Sequence, residues 1–232
     1  QEDNKKKDIC EHNQNKDECD LCNKEETKSY LHELFGDDID ILAPLGHGFT
    51  IPKGEKVAFV GGGIGVPPML YSAKQADVAY AVLGFRNKDA VILEDDFNAV
   101  CEKVYVATDD GSYGEKGLVT NALENLIKEG NEYDEVIAIG PLIMMKFVCA
   151  LTKEYGVKTM VSMNPIMIDG TGMCGGCRLT VGGTTKFACV DGPDFDGHEV
   201  DFDEAIERST MYKPFERKAH DEACNLYKKE VK

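Results

Sequence analysis

Short apolar runs alternate with longer amphipathic stretches through the middle of this 232-residue sequence. The runs have the length and continuous apolar character of buried strands, and the stretches between them have helical periodicity. Such alternation is typical of a parallel sheet covered by helices on both faces. The pattern predicts an α/β fold with a doubly wound parallel sheet, with strands at residues 56–61, 78–84, 103–108, 135–140 and 158–162 and helices at residues 67–75, 90–100, 117–129 and 141–155.

The two ends of the chain do not share this alternation. Residues 1–28 contain only Ile9 and Leu21 as aliphatic residues, which is too little apolar surface to offset the entropy of ordering a chain. Residues 164–200 are rich in Gly, Cys and Asp and lack a helical period, which indicates a small domain built from loops. A final helix is expected to begin after Asp201 or Asp203, followed by a charged tail.

The charge balance and the hydropathy limit the choice of partners. Acidic residues number 42 and basic residues 26, giving a formal net charge of -16, which weighs against nucleic acid or an anionic membrane surface. The longest uncharged apolar run, near residues 79–85, is too short to span a bilayer, and no leader with a charged and then an apolar segment precedes it. We therefore expect a soluble, cytoplasmic protein whose partners are small molecules or other proteins.

A glycine-rich turn joins the first predicted strand to the first predicted helix. Its G-x-G-x-G-x-x-P pattern is formed by Gly61, Gly62, Gly63, Gly65 and Pro68. Glycines let backbone amides approach a pyrophosphate, and the helix N-terminus adds the positive end of its dipole. The alternative is a tight turn without a ligand, which four glycines in five residues would make entropically costly. We expect a side chain at Gly63 or Gly65 to block a dinucleotide while leaving the fold largely intact.

Three further loops follow predicted strands that should end at the same edge of the sheet, where ligands of open α/β sheets bind. The loop after the second strand has no acidic residue to hold an NAD ribose, and its Arg86 and Lys88 are either phosphate contacts or solvated charges. NAD and NADP therefore both remain open. Residues of the other two loops either contact the cofactor or only form turns and core contacts. The candidate cofactor contacts in the three loops are Arg86, Asn87, Asp110, Gly111, Gly140, Pro141 and Met144.

One glycine-rich stretch has the spacing of an iron-sulfur site. Plant-type 2Fe-2S sites use C-x4-C-x2-C and a distant fourth Cys, and here the positions are taken by Asp169, Cys174, Cys177 and Cys189. The spacing predicts a 2Fe-2S cluster with three thiolate ligands and one carboxylate ligand. Zinc is the alternative metal, but the glycines favour a cluster, because they bring backbone amides to its sulfurs. Asp169 as a turn former, with the fourth ligand elsewhere, is the other open alternative.

The N-terminal segment offers a second possible metal site. Its candidate ligands are Cys10, His12, Cys19 and Cys22. A metal such as zinc could fold this otherwise coreless segment. Against this, His12 follows Cys10 too closely for a common zinc knuckle, so the cysteines could equally have no ligand role.

Taken together, these motifs resemble those of the ferredoxin-reductase-like electron-transfer subunits. The resemblance includes the loop at residues 108–112 and the sequence that follows Cys189 to His198, and it covers about residues 30–212. The electron-transfer subunit of dihydroorotate dehydrogenase is similar. The small subunit of NADH-dependent ferredoxin:NADP oxidoreductase is more similar, because the resemblance implies that the dihydroorotate type needs a Cys at the position of Asp169. The resemblance implies a 2Fe-2S cluster, NAD(H) or NADP(H), and FAD as cofactors. It also implies a larger catalytic oxidoreductase subunit as partner, with ferredoxin as a further candidate.

The resemblance also implies a domain order. In this family a flavin-binding barrel with an Arg-Pro-x-Ser/Thr motif precedes the nucleotide domain, and this chain lacks the motif. We expect a partial barrel remnant with the Cys-rich segment at 1–52, an NAD(P)-binding domain at 53–163, a 2Fe-2S domain at 164–212 and a charged tail at 213–232. The expected function is electron transfer between NAD(P)H, a flavin and the cluster to a partner subunit. The alternative is a non-catalytic docking or sensing module that binds nucleotide and cluster but has lost flavin.

Overall fold

A seven-stranded sheet, most of it parallel, forms the centre of the computed structural model, which describes residues 45–51, 53–130 and 132–229. Within these ranges the strands are β1 (Lys56–Gly62), β2 (Val78–Phe85), β3 (Lys103–Thr108), β4 (Glu115–Lys116), β5 (Glu135–Ile139), β6 (Lys158–Ser162), β7 (Arg178–Val181), β8 (Thr184–Phe187) and β9 (Asp194–Asp196). The strand order of the large sheet is β4-β3-β2-β1-β5-β6-β9, and in it β9 alone runs antiparallel to its neighbour. Strands β7 and β8 form a separate antiparallel hairpin.

Helices cover both faces of this sheet, as expected for a doubly wound fold. Alternate residues of β1 point to opposite faces: Phe59 packs in the core under the helices at 66–73 and 94–98, and Val60 packs in the core under the helices at 119–128 and 142–154. No helix of the described residues combines the length and apolar character needed to cross a membrane. The helices are α1 (Val66–Ala73), α2 (Glu94–Asn98), α3 (Val119–Lys128), α4 (Leu142–Glu154), α5 (Phe202–Ser209) and α6 (Lys213–Lys229).

The predicted fold class is confirmed, and the predicted strands and helices are present with one clear difference. The helix predicted at 90–100 covers only Glu94–Asn98. It is preceded by a 3-10 turn at Lys88–Ala90 and by Leu93, whose φ of 60° is left-handed and incompatible with a continuous helix. The predicted start at residue 90 is therefore wrong, because the backbone reverses its handedness before the helix begins.

The region 164–200 contains more regular structure than its composition indicated. The β7–β8 hairpin turns at Gly182 and Gly183, both with positive φ, as tight hairpin turns require. Strand β9 then pairs with β6 and so joins the central sheet. The predicted final helix is present as α5, where the Asp201 carboxylate accepts a hydrogen bond from the Glu204 amide at 3.0 Å.

Candidate functional site

The carboxyl ends of β1 and β5 meet where the strand order reverses. From β1 the chain builds β2 and β3 on one side and later β5 and β6 on the other, so a crevice opens between β1 and β5. A Cβ placed on Gly62 would lie 3.0 Å from Pro141 Cδ, and one placed on Gly140 would lie 3.0 Å from the Gly62 nitrogen. The two strand ends therefore approach closely, and a side chain at either glycine would also displace the Met144 side chain, which lies 2.6 Å and 2.8 Å from the two added Cβ positions.

The glycine-rich turn leads directly from β1 into α1. Residues 63–65 form a 3-10 turn, and Pro67 and Pro68 occupy the first turn of the helix. No side chain caps either segment. Because Pro67 and Pro68 have no amide N–H and the Val66 amide donates to the Gly63 carbonyl, amides offered to an anion here come from the glycine turn rather than from the first turn of the helix. At Gly63, with φ of 53°, an added Cβ would meet no atom within 4 Å among the described residues. The space above Gly63 is therefore open to a ligand.

Gly65 differs from Gly63 in what surrounds it. It is buried, and a Cβ there would overlap the Ile139 carbonyl and lie 2.9 Å from Gly140 Cα. The backbone of β5 cannot yield as a flexible side chain would. The expectation that a side chain at Gly65 leaves the fold intact is therefore wrong, whereas the structure does not contradict the same expectation for Gly63.

The loops after β2 and β3 lie together at this edge. The Lys88 amide donates to Ser112 Oγ at 2.8 Å, and the Asp110 amide donates to the Arg86 carbonyl at 3.3 Å. Hydrogen bonds from the Ser112 hydroxyl (2.6 Å) and amide (2.9 Å) to Asp110 Oδ1 lower the pKa of the Asp110 carboxyl. Asn87 Oδ1 accepts from the Ala90 amide at 3.1 Å, so Asn87 has a local capping role, while Arg86 is exposed.

Thr108 fixes the loop that contains Asp110 and Gly111. Its buried hydroxyl donates to the Tyr113 carbonyl at 2.6 Å and accepts from the Tyr113 amide at 3.2 Å. Gly111 has a φ of 73°, which suits glycine at this turn. Thr108 was not predicted as a site residue, although a polar residue at the end of an apolar strand is a signal for a role at the strand's carboxyl edge.

The cysteine loop, residues 169–177, adjoins Cys189. The sulfurs of Cys177 and Cys189 are 3.2 Å apart and buried, whereas Cys174 is exposed. Backbone amides face two of the sulfurs: that of Gly176 reaches Cys174 Sγ at 3.4 Å, and that of Cys189 reaches Cys177 Sγ at 3.5 Å. Burial and the neighbouring Cys177 thiol raise the pKa of Cys189. The loop thus provides both thiols and amides directed at sulfur.

Asp169 lies at the start of this loop with its carboxylate turned onto the backbone. Oδ1 accepts from the Thr171 amide at 2.8 Å, and Oδ2 accepts from the Cys174 amide at 3.0 Å. These hydrogen bonds, that from Thr171 first, lower the pKa of Asp169 and keep it a carboxylate. Asp169 therefore lies beside Cys174, while Cys177 lies beside Cys189.

Comparison with known proteins identifies the family. A family model described as the iron-sulfur cluster binding domain of dihydroorotate dehydrogenase B matches residues 164–201. A Thermotoga maritima protein, described as a homologue of the electron-transfer subunit of dihydroorotate dehydrogenase B (NAD(+)), is 47% identical over 195 residues, covering 80% of this chain and 68% of the relative. The chain belongs to the family of dihydroorotate dehydrogenase B electron-transfer subunits and their homologues.

Two further matches show how much of its relatives' length the chain spans. A Clostridium beijerinckii protein encoded in the adh 3' region is 52% identical over 172 residues, covering 72% of this chain and 58% of the relative. A chain in the solved structure of an NADH-dependent reduced ferredoxin-NADP oxidoreductase is 42% identical, with a TM-score of 0.72, covering 83% of this chain and 72% of that one. The expected resemblance is confirmed, and the chain spans about three fifths of the length of the C. beijerinckii relative.

The second predicted metal site belongs to a part of the chain that the structure does not describe. Cys10, His12, Cys19 and Cys22 lie outside the described residues, as does the predicted barrel remnant except for residues 45–51. Within the described ranges, no three Cys, His, Asp or Glu side chains converge as a single metal ion would require. The predicted ligands of the cysteine loop instead lie as two neighbouring pairs.

Proposed function

We propose that this chain transfers electrons between a nicotinamide dinucleotide and a partner oxidoreductase through a 2Fe-2S cluster. The observation that carries the proposal is the buried Cys177–Cys189 sulfur pair, 3.2 Å apart, in a segment whose amides face sulfur. Amide donors around thiolates suit a cluster, whose potential depends on hydrogen bonds to its sulfurs. Membership of a family of electron-transfer subunits supports this proposal.

Two ligand pairs support a two-iron cluster over a single zinc ion. Each iron of a 2Fe-2S cluster takes two protein ligands. Here the Asp169 carboxylate contacts the backbone amide of Cys174, and the sulfurs of Cys177 and Cys189 lie next to each other. A closed zinc site needs four donors around one point, and no group of three converges within the described part of the chain. We propose that these four residues are the ligands, with Asp169 releasing its two backbone amides to bind iron.

The nucleotide would bind in the crevice between β1 and β5. The open turn at Gly61–Gly65, with Pro68 in the first turn of α1, would bring its amides to the pyrophosphate. The exposed guanidinium of Arg86 would contact a phosphate, and the loop of Asp110 and Gly111 would form one wall. Gly140, Pro141 and Met144 would form the other wall, beside Gly62. NAD and NADP are the two candidate dinucleotides, and assays with NADH and with NADPH distinguish them.

The remaining requirements concern flavin, partner and compartment. A nicotinamide delivers two electrons and an iron-sulfur cluster accepts one, so a flavin supplies the conversion between them. We propose that FAD acts in the assembled protein, although the Arg-Pro-x-Ser/Thr motif is absent from this sequence.

The electrons would pass to a larger catalytic subunit or to ferredoxin. Free cysteines suit the reducing cytoplasm. We propose that residues 53–163 form the nucleotide-binding domain and residues 164–212 form the cluster-binding domain.

The test uses the protein purified anaerobically in complex with its partner. We expect iron and sulfide in equal amounts, about two of each per chain, and reduction of a dye acceptor that depends on NADH or NADPH. Iron, sulfide and nucleotide binding without any dye reduction would favour a docking or sensing module. One zinc per chain and no sulfide would reject the proposal.

A further inference from the structure

Arg208 connects α5 to the cysteine loop. Its guanidinium Nη2 donates to the Gly176 carbonyl at 3.3 Å, across 32 positions of sequence. Gly176 lies between Cys174 and Cys177. The other charged residues of α5 are Asp203, Glu204 and Glu207, so Arg208 is the basic residue that this acidic helix directs at the loop.

The helix that carries Arg208 is fixed at its beginning. Asp201 caps it, and the Asp201 amide donates to the Thr180 carbonyl of β7 at 2.9 Å. Phe202 is buried, and Asp203 pairs with Lys146 of α4 at 2.6 Å. Because α5 is held to both β7 and α4, Arg208 is presented to the loop from a rigid element rather than from a mobile tail.

Gly176 is held from both sides. Its amide donates to Cys174 Sγ at 3.4 Å, and its carbonyl accepts from Arg208. That carbonyl belongs to the same peptide group as the Cys177 amide, so the guanidinium orients the peptide between two candidate ligands. Arg208 therefore acts on the backbone of Gly176, whose own amide faces Cys174 Sγ, without touching a sulfur itself.

Resting on the proposed cluster, we propose that Arg208 is a positioning residue that makes this cluster easier to reduce. A one-electron reduction adds one negative charge at the site. Oriented amides and a nearby cation both favour the more negative state and so raise the reduction potential. The chain has a formal net charge of -16, which opposes reduction, so a half-buried cation at the loop has a compensating effect.

The surroundings of Arg208 suit arginine better than lysine. Its side chain lines a cleft with the apolar residues Ile166, Ile168 and Leu179. An arginine stem packs along such a wall, and its planar guanidinium keeps charge and donors in a fixed orientation. A lysine would keep the charge but would hold the carbonyl less rigidly.

The test compares Arg208→Gln, Arg208→Lys and the control Arg178→Gln. Arg178 follows Cys177 and lines the same cleft with an exposed side chain, so it reports the effect of charge alone. Each protein is reconstituted anaerobically, its iron and sulfide are counted, and the cluster is titrated with dithionite while its EPR signal is recorded. We expect the potential to become more negative in Arg208→Gln, less so in Arg208→Lys, and least in Arg178→Gln.

The outcomes separate this proposal from the proposed function. Wild-type protein without iron and sulfide rejects the function before any variant is made. Arg208→Gln with a full cluster and the wild-type potential overturns the role of Arg208, as does Arg178→Gln with an equal shift. If Arg208→Gln loses the cluster, the reduction potential of Arg208→Lys decides. A potential more negative than that of the wild-type protein supports the proposal, and a potential equal to it overturns the proposal.

Discussion

The central sheet and the cysteine loop are stabilised by different kinds of contact. The middle of β1, residues 57–60, is fully buried and packs between two helix layers. Residues 166–169, 173 and 174 are exposed, and the loop is held by local hydrogen bonds and by glycines with positive φ at positions 170, 172 and 175. The sheet therefore packs in a large apolar core, which Cys177 and Cys189 also enter, whereas residues 169–176 have little apolar burial to oppose their conformational entropy.

This difference indicates where a ligand contributes to folding. Metal binding stabilises a segment most when that segment lacks a core. We expect the cysteine loop to depend on its cluster and the sheet to be indifferent to it. Changes in the two regions should accordingly have separable effects, on global unfolding in one case and on cluster retention in the other.

The largest effect on folding is expected for Gly65→Val. A Cβ at this position would overlap the Ile139 carbonyl, and a clash with backbone at the centre of the sheet should cost about 4 kcal/mol or more. Urea denaturation followed by circular dichroism measures the loss.

Gly63→Val is the matched control. The space around Gly63 is open and its φ is 53°, so we expect a backbone cost of about 1–2 kcal/mol together with loss of NADH and NADPH binding in calorimetric titration. Equal destabilisation by the two variants would contradict the packing account, and unchanged nucleotide affinity in Gly63→Val would move the site elsewhere.

The contrast between the regions also explains what could be predicted from the sequence. Strand β1 was predicted because a short, uninterrupted apolar run that ends in glycines is typical of a buried strand. The start of α2 was wrong because the left-handed φ of Leu93 leaves no mark in a hydrophobic pattern. The β7–β8 hairpin was missed although Gly182–Gly183 between short runs rich in Thr and Val is a hairpin signal. The contact of Arg208 with Gly176 depends on tertiary packing, which no local pattern encodes.

In the cysteine loop the largest effect is expected for Cys177→Ser. Its sulfur is buried against that of Cys189, so its loss should abolish the cluster, and we expect β1 and β5 to keep their hydrogen-exchange protection. Iron and sulfide content and hydrogen exchange measure the two effects. The exposed Cys174 offers a second ligand variant, Cys174→Ser. Loss of protection in β1 and β5 alongside loss of the cluster would show that the regions are coupled after all.

Asp169 allows a graded test of the same loop. If its carboxylate binds iron, Asp169→Ala should lose or weaken the cluster, and Asp169→Cys should restore a four-thiolate site with a shifted potential. Iron and sulfide content with spectra of both oxidation states provide the measurement. A complete cluster with an unaltered spectrum in Asp169→Ala would leave Asp169 as the turn former that its hydrogen bonds to Thr171 and Cys174 describe.

A charge pair at the sheet gives a smaller effect. Lys158 Nζ lies 2.8 Å from Oε1 of Glu135, whose side chain is only 1% exposed. Lys158→Ala leaves that carboxylate buried and unpaired, which should cost about 1–3 kcal/mol. The control is Lys128→Ala, because Lys128 is 57% exposed, close to the 60% of Lys158, but its partner Glu124 is 36% exposed. We expect less than about 0.5 kcal/mol there, and equal losses in denaturation would show that burial of the acid is irrelevant.

The smallest effect is expected at Asp194 of β9, the edge strand of the central sheet. Its Oδ2 accepts from the Phe49 amide at 3.1 Å, and the carboxyl also hydrogen bonds with the Ser162 side chain. Burial raises the pKa of the Asp194 carboxyl, so the folded state binds its proton more readily than the unfolded state does. The ionised form therefore weakens the fold at neutral pH, and Asp194→Asn should be more stable there by no more than about 1 kcal/mol.

The same shift gives a pH dependence. As the pH falls through the raised pKa of Asp194, the wild-type protein gains stability relative to Asp194→Asn, and the gain levels off below the pKa of Asp in the unfolded chain, about 3.9. Parallel urea titrations of both proteins between neutral pH and pH 4 measure this difference, and a constant difference across that range would contradict the predicted burial of the charge.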